Sequence, residues 1–211
     1  MFGSLFSHEP SEKELREMAE KFHGLEPFNP KKAPAITEIV TVNFKTDAGD
    51  LVIEVYPQAA PNAAKRFLEL CGSGFYDGTP IFRVVTDPRP FVAQFGINWR
   101  PEHKVWQHNN FDDDPSLFKL TPGTLAFAKA GPNTNSTQIF INYGDNSFLK
   151  DNGGFSTFAK VVSGFDIAKG FVSVGDPGMG LDQGMLWNNG EQYLQSLKKK
   201  PNMIIKAEIV K

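Results

Sequence analysis

Gly123-Thr124-Leu125-Ala126-Phe127-Ala128-Lys129-Ala130-Gly131-Pro132-Asn133-Thr134-Asn135-Ser136-Thr137-Gln138-Ile139-Phe140-Ile141 is the densest run of signal in the chain. Its two apolar stretches, 124–128 and 138–141, have strand length and flank a run of turn-forming Gly, Pro, Asn, Ser and Thr. The same short-strand pattern recurs on both sides. Upstream it appears at 81–85 and 91–95, and downstream at 155–161 and 203–210. Nearer the start, Ile39, Val40, Val42 and Phe44 lead into the turn Thr46-Asp47-Ala48-Gly49-Asp50, and Leu51, Ile53 and Val55 alternate on the return. Two helices interrupt the strands. Pro61 suits the first turn of one, whose stripe is Ala64, Phe67, Leu68 and Cys71 and whose end falls at Gly72 or Gly74. The other fits 165–171. About eight strands, two internal helices and no alternating strand–helix rhythm predict a mainly-β fold. The expected form is a closed eight-stranded antiparallel barrel capped by two helices.

Composition agrees. The 211 residues hold 19 Phe, more than the 14 Leu, so phenylalanine is the main bulky apolar residue. Aromatics fit a pleated surface better than a helical bundle. The net charge of -2 leaves no basic field for nucleic acid, and no apolar run approaches the roughly 18 residues that span a bilayer. The first ten residues lack a leader pattern, and the single Cys71 fits a reducing compartment, so a cytoplasmic location is expected. Four scattered histidines (His8, His23, His103, His108) and one cysteine have no zinc spacing, and no metal site is expected.

Residues 1–36 read as an appendage. Ser11 and Glu14 have capping-box spacing, and Leu15, Met18, Ala19 and Phe22 make a helical stripe. Pro27, Pro30 and Pro34 punctuate a linker that follows. The helix is expected to dock on its own domain, which spans 37–211. Within that domain, 98–122 is a long loop with an acidic run at Asp112, Asp113 and Asp114, expected to solvate the surface or cap a helix. Residues 175–201 form an insertion in which Tyr193, Leu194 and Leu197 suggest a short helix. Lys198, Lys199 and Lys200 read as a solvated helix end.

No nucleophile elbow, H-E-x-x-H pair or strand-borne histidine is present, so nucleophilic and metal mechanisms have little support. What remains is the opening run and Phe75-Tyr76-Asp77-Gly78-Thr79-Pro80-Ile81-Phe82-Arg83-Val84-Val85, continuing to Phe91-Val92-Ala93-Gln94-Phe95-Gly96. These two blocks resemble the signatures of the cyclophilin-type peptidyl-prolyl cis-trans isomerases. Asn146-Ser147-Phe148-Leu149-Lys150 and Phe158-Ala159-Lys160-Val161 resemble later family segments in spacing. The resemblance runs from about Glu38 to the C-terminus and leaves out 1–36, the loop 87–90 and the insertion 175–201.

The resemblance implies a peptidyl-prolyl isomerase that takes proline-containing peptides and unfolded proteins, with no cofactor, metal, nucleic acid or membrane partner, acting as a monomer. It assigns catalysis to Arg83 with Gln94. Substrate binding falls to Phe91, Val92, Ala128, Lys129, Ala130, Gln138, Phe140, Phe148, Leu149 and Phe155. Lys129 would contribute its backbone and point its side chain to solvent. Four positions depart from the family pattern. Val92 stands for Met, Phe82 for the His before the arginine, Phe148 for Trp and Phe155 for a rim His. The expectation is a more apolar, donor-poor rim.

Physics supports that chemistry. Rotation about an X–Pro amide faces a barrier near 20 kcal/mol because the nitrogen lone pair is delocalised into the carbonyl. A catalyst need form no covalent bond; it must favour the twisted amide over both planar forms. The pyramidal nitrogen of the twisted state accepts a hydrogen bond, which a fixed guanidinium such as Arg83 can donate. A five-decade acceleration needs about 7 kcal/mol, and one charge-assisted hydrogen bond supplies about 1.5–3 kcal/mol. An apolar cup must therefore share the work. The residues leave a second reading open: a proline-peptide binding scaffold whose isomerase activity is weak or lost, because the departures reshape that cup.

Overall fold

The computed structural model describes residues 9–151 and 153–210. The reading of the first eight residues, His8 included, lies outside the described residues. The chain begins with helix α1 (Glu12–Lys21), then strands β1 (Val40–Thr46) and β2 (Gly49–Val55) and helix α2 (Pro61–Gly72). Strands β3 (Thr79–Val85), β4 (Val92–Phe95), β5 (Thr124–Phe127), β6 (Ile139–Asn142) and β7 (Ala159–Ser163) follow. Helices α3 (Phe165–Lys169) and α4 (Gln183–Ser196) precede the last strand, β8 (Met203–Ile209). The strands close in the order β1-β2-β7-β5-β6-β4-β3-β8, and every pairing is antiparallel. Closure removes the unpaired edges that an open sheet would expose.

Strand alternation sorts the side chains between two apolar clusters. Inward residues of every strand join Phe67, Leu70 and Cys71 of α2 in the main core. Its centre is aromatic: Phe67 lies 5.9 Å from Phe44, 5.7 Å from Tyr76 and 5.2 Å from Phe158 between ring centroids. Stacked and tilted ring pairs of this kind add about 0.5–1.5 kcal/mol each beyond their buried area. Much of the phenylalanine excess is accounted for here. On the outer face, Val92, Ala126, Phe140 and Leu120 form a smaller cluster, with Phe91, Leu149 and Phe155 packed around it.

Phe82 corrects one expectation. It is fully buried in the main core, not at a site rim. Its neighbour Arg83 faces outward, and adjacent strand residues point to opposite faces.

Helix α2 starts at Pro61 with no side-chain cap from Ala60. Its first free N–H groups are taken from elsewhere. The Asp114 carboxylate accepts from Asn62 N at 3.1 Å and from Ala63 N at 2.9 Å. The acidic run thus includes a helix cap supplied by the long loop. Burial pushes the Asp114 carboxyl above its ordinary range, against those two bonds.

The capping box of α1 forms as its spacing predicts, with Ser11 Oγ accepting from Glu14 N at 3.3 Å. The helix itself buries no residue. Phe22 and Leu25, just beyond it, are buried with Ala33, Ile36, Tyr56, Ala59 and Phe118 in a second cluster. The appendage is docked through its C-terminal end and linker.

The insertion holds more helix than expected. Helix α4 is capped by Asp182, whose carboxylate accepts from Met185 N at 2.7 Å, and it bends at Asn189. Leu186 and Trp187 sink into the main core. Gly190 lies so close to the Trp99 indole that a Cβ there would overlap its ring.

Candidate active site

Arg83, Gln94 and Phe140 form a row across three neighbouring strands. Arg83 of β3 is the register partner of Gln94 of β4, and Gln94 is the partner of Phe140 of β6. All three project from the outer face of the barrel, because their strand neighbours Phe82, Phe95, Ile139 and Ile141 fill the core. β4 exits through Gly96 at φ +111°, where a Cβ would stand 2.8 Å from Gln138 Cα. Only glycine lets the two chains pass that closely beside the site.

The guanidinium is held on two sides. Arg83 Nη1 donates to Gln94 Oε1 at 2.9 Å, and Nε donates to the Gly178 carbonyl at 2.8 Å. Gln94 Nε2 donates onward to Gln138 Oε1 at 2.8 Å, and Gln138 Nε2 to Gln183 Oε1 at 2.8 Å. An arginine side chain offers five N–H donors, so three remain for a ligand. Burial lowers the Arg83 pKa from its usual value, yet a guanidinium keeps its charge at neutral pH.

Arg83, Phe91, Val92, Gln94, Phe140, Leu149 and Phe155 line a cavity of about 240 Å³, together with Ala128 and Lys129. Its wall is aromatic. Phe155 meets Phe140 edge-on at 5.6 Å, and the Arg83 guanidinium lies 5.9 Å from the Phe91 ring centre. A neighbouring cavity of about 270 Å³ shares Gln94, Ala128 and Lys129 and adds Ala130, Gln138 and Gln183. Between them runs the edge 128–130. There Ala128 N donates to the Gln138 carbonyl at 2.9 Å and Ala130 N to Thr134 Oγ1 at 3.0 Å. An apolar cup with a fixed cation at its side can seat a proline ring, exclude water and donate to a pyramidal nitrogen.

The structure therefore brings together eleven of the twelve residues singled out from the sequence, in two adjoining cavities. Phe148 lines neither. It is 44% exposed at the rim, stacked on Phe91 at 6.5 Å, with the Arg89 guanidinium 4.7 Å from its ring centre.

The side chain of Lys129 does not point to solvent. It is 3% exposed, with Nζ 2.9 Å from Asp113 Oδ2 and 5.4 Å from the Phe155 ring centre. Asp113 also accepts from Asn133 N at 3.1 Å and from Asn135 Nδ2 at 2.6 Å. Burial alone would raise its carboxyl pKa. The Lys129 ammonium and the bonds from Asn133 and Asn135 outweigh that and hold it below the usual range.

Sequence reasoning missed Gly178, Gln183 and Arg89. Two of them belong to the insertion and the third to the loop before β4, all in stretches without a periodic pattern. The glycines of 175–180 were the one local signal: Met179 N and Gly180 N both donate to the Asp176 carbonyl, making the turn that presents the Gly178 carbonyl to Arg83.

Comparison with known proteins bears on this geometry. A model of the family "Cyclophilin type peptidyl-prolyl cis-trans isomerase/CLD" matches residues 41–178. Peptidyl-prolyl cis-trans isomerase B of Escherichia coli is 36% identical over 153 residues, covering 67% of this chain and 90% of that protein. Peptidyl-prolyl cis-trans isomerase CYP18-1 of Arabidopsis thaliana is 35% identical over 133 residues, covering 61% and 79%. Among solved structures, a Cryptosporidium parvum cyclophilin type peptidyl-prolyl cis-trans isomerase superposes with a TM-score of 0.61 at 24% identity, covering 82% of this chain and 99% of that one. A second structure of that protein, determined in the presence of the dipeptide Ala-Pro, gives a TM-score of 0.59.

Proposed function

Because this chain belongs to the cyclophilin-type peptidyl-prolyl cis-trans isomerase family, and is a peptidyl-prolyl isomerase of the class that binds proline-containing peptides, we propose how its own residues carry the reaction. The proline ring of a flexible or unfolded client enters the cup of Phe91, Val92, Phe140, Leu149 and Phe155. The client backbone lies along 128–130. The Ala-Pro dipeptide present with the Cryptosporidium parvum relative has the chemistry this arrangement would take. Arg83 donates to the proline nitrogen as the amide twists, and Gln94 keeps the guanidinium aimed. Desolvation in the cup disfavours the more polar planar amide. No proton is transferred and no covalent bond is made.

The observation that carries this reading is the Arg83–Gln94 pair at 2.9 Å on the wall of an apolar cavity. A guanidinium fixed from two sides suits a transition state better than a mobile one. It favours an active enzyme over a binding scaffold. Part of the same reading is a reducing, cytoplasmic location, supported by the lone cysteine Cys71, which is buried.

Exchange NMR on a short Ala-Pro peptide tests the proposal. Catalytic amounts of the chain should give cis–trans exchange that Phe140→Ala weakens by raising KM. Exchange left unchanged by Phe140→Ala would remove the cup from the mechanism.

A further inference from the structure

The hydrogen-bond chain that starts at Arg83 has a direction. A guanidinium donates and accepts nothing, so Gln94 must turn its Oε1 to Arg83 Nη1, 2.9 Å away. That leaves Gln94 its Nε2, which donates to Gln138 Oε1 at 2.8 Å. Gln138 is then left its own Nε2, which donates to Gln183 Oε1 at 2.8 Å. Each amide makes its bonds in one orientation only, and that orientation passes from residue to residue. Water in place of Gln183 would both donate and accept, so it would tolerate either orientation of Gln138. Turned over, Gln138 would set its NH2 group against the NH2 group of Gln94, and a donor would face a donor.

Gln183 is the acceptor at the far end, and its backbone is anchored to the strand that carries Arg83. Leu181 N donates to the Phe82 carbonyl at 2.9 Å. Asp182 caps α4 through Met185 N at 2.7 Å, and its own N–H donates to Tyr193 Oη at 3.1 Å. Gln183 is the first residue of that helix, and Leu186 and Trp187 beyond it are buried in the main core. The bonds thus close a ring from Arg83 through Gln94, Gln138 and Gln183 back to the strand position next to Arg83. Gln183 lies beyond the stretch 41–178 that the family model matches. We propose that Gln183 is a positioning residue for the isomerisation: its side-chain oxygen sets the orientation of Gln138 and Gln94, and so keeps the Arg83 guanidinium aimed at the proline nitrogen. This rests on the reading of Arg83 as the donor to that nitrogen. A carboxylate at position 183 would serve as well, because it accepts. An ammonium would not, because it only donates.

The test is kcat for a short Ala-Pro peptide with the full chain, at low and at raised salt. Gln183→Met, which offers no amide oxygen, should lower kcat about twofold, and Gln183→Lys about threefold. Gln183→Glu should bring it back to within about 1.3-fold of the parent. The order should hold at raised salt, which screens a field at Arg83 but not the direction of a bond. In Gln94→Ala the chain is already broken, so adding Gln183→Lys should change kcat less than about 1.3-fold. Equal kcat in the parent, Gln183→Met and Gln183→Lys, or a Gln183→Lys loss that survives in Gln94→Ala, would overturn the proposal. If the parent turned over no peptide, the reading of Arg83 would fail instead. The side-chain amide signal of Gln94 in the nitrogen-labelled full chain would then decide the Gln183 claim. Gln183→Lys should move that signal further than Gln183→Glu does, and equal shifts would overturn the claim.

Discussion

Arg83 Nη1 and Gln94 Oε1 are 2.9 Å apart, and the two residues are direct register partners on β3 and β4. The guanidinium is thus oriented by its own cross-strand neighbour. Replacing Gln94 by Ala frees one edge of the guanidinium while Gly178 still holds the other. We expect kcat for an X–Pro peptide to fall about three- to tenfold, with KM changed less than twofold, a loss of about 0.65–1.4 kcal/mol, because Gly178 still holds the guanidinium. A loss seen in KM alone would assign Gln94 to binding instead.

The pH profile follows from the groups present. Among its lining residues the cup has no carboxyl, imidazole or thiol; its titratable side chains are Lys129 and the proposed donor to the proline nitrogen, Arg83. Burial lowers its pKa, so the charge is lost only on the alkaline side, earlier than for a free guanidinium but far above neutrality. kcat/KM should be flat from about pH 5 to 9. A bell-shaped profile centred near neutrality would require a proton-transfer group that this site lacks.

Acid should weaken the tie between the long loop and the substrate edge. The folded pKa of Asp113 lies below its unfolded value. Its contribution to stability is therefore present above the unfolded value of about 3.9 and lost as pH falls through the folded one. The difference in urea midpoint between the parent and Asp113→Asn should be clear at pH 6 and shrink steadily as pH falls below about 3.9. A difference that does not change with pH would show that charge plays no part.

Phe22 is the largest of the side chains that the N-terminal segment buries against the barrel domain. Phe22 is fully buried and meets the Phe118 ring edge-on at 5.8 Å. Phe22→Ala should cost about 3–5 kcal/mol of local docking energy. Limited proteolysis would then cut the linker 27–36 faster than in the parent. Equal cleavage rates would mean that the segment is tethered elsewhere.

How far these features were legible in the sequence depends on the range of the interaction. The barrel was readable because alternation is local: Ile139 and Ile141 point in while Phe140 points out, and residues two apart say so. Arg83, Gln94 and the cup were readable because the motifs lie on those strands. The same alternation also places Phe82 in the core, and the error came from reading that position by family likeness rather than by period. β7 begins at Ala159, later than expected. Residues 155–158 cross the barrel end, where Phe155 turns outward to the cup and Phe158 inward to the core. What stayed hidden depends on partners remote in sequence. Asp114 caps α2 from 51 residues away, and the Gly178 carbonyl reaches Arg83 from 95 residues away. No periodicity records such pairings. The ion pair of Lys129 with Asp113 belongs to the same class; family likeness assigns that position by its backbone and so left the side chain to solvent.

The most direct test of the account is the isomerisation rate of a short X–Pro peptide with the parent chain and with Arg83→Ala, both shown by circular dichroism to be folded. The site geometry predicts catalysis by the parent and at least a tenfold lower kcat/KM in the variant, the loss of about 1.4 kcal/mol or more of transition-state stabilisation. Equal rates in the two proteins would contradict the role of Arg83 and with it the mechanism.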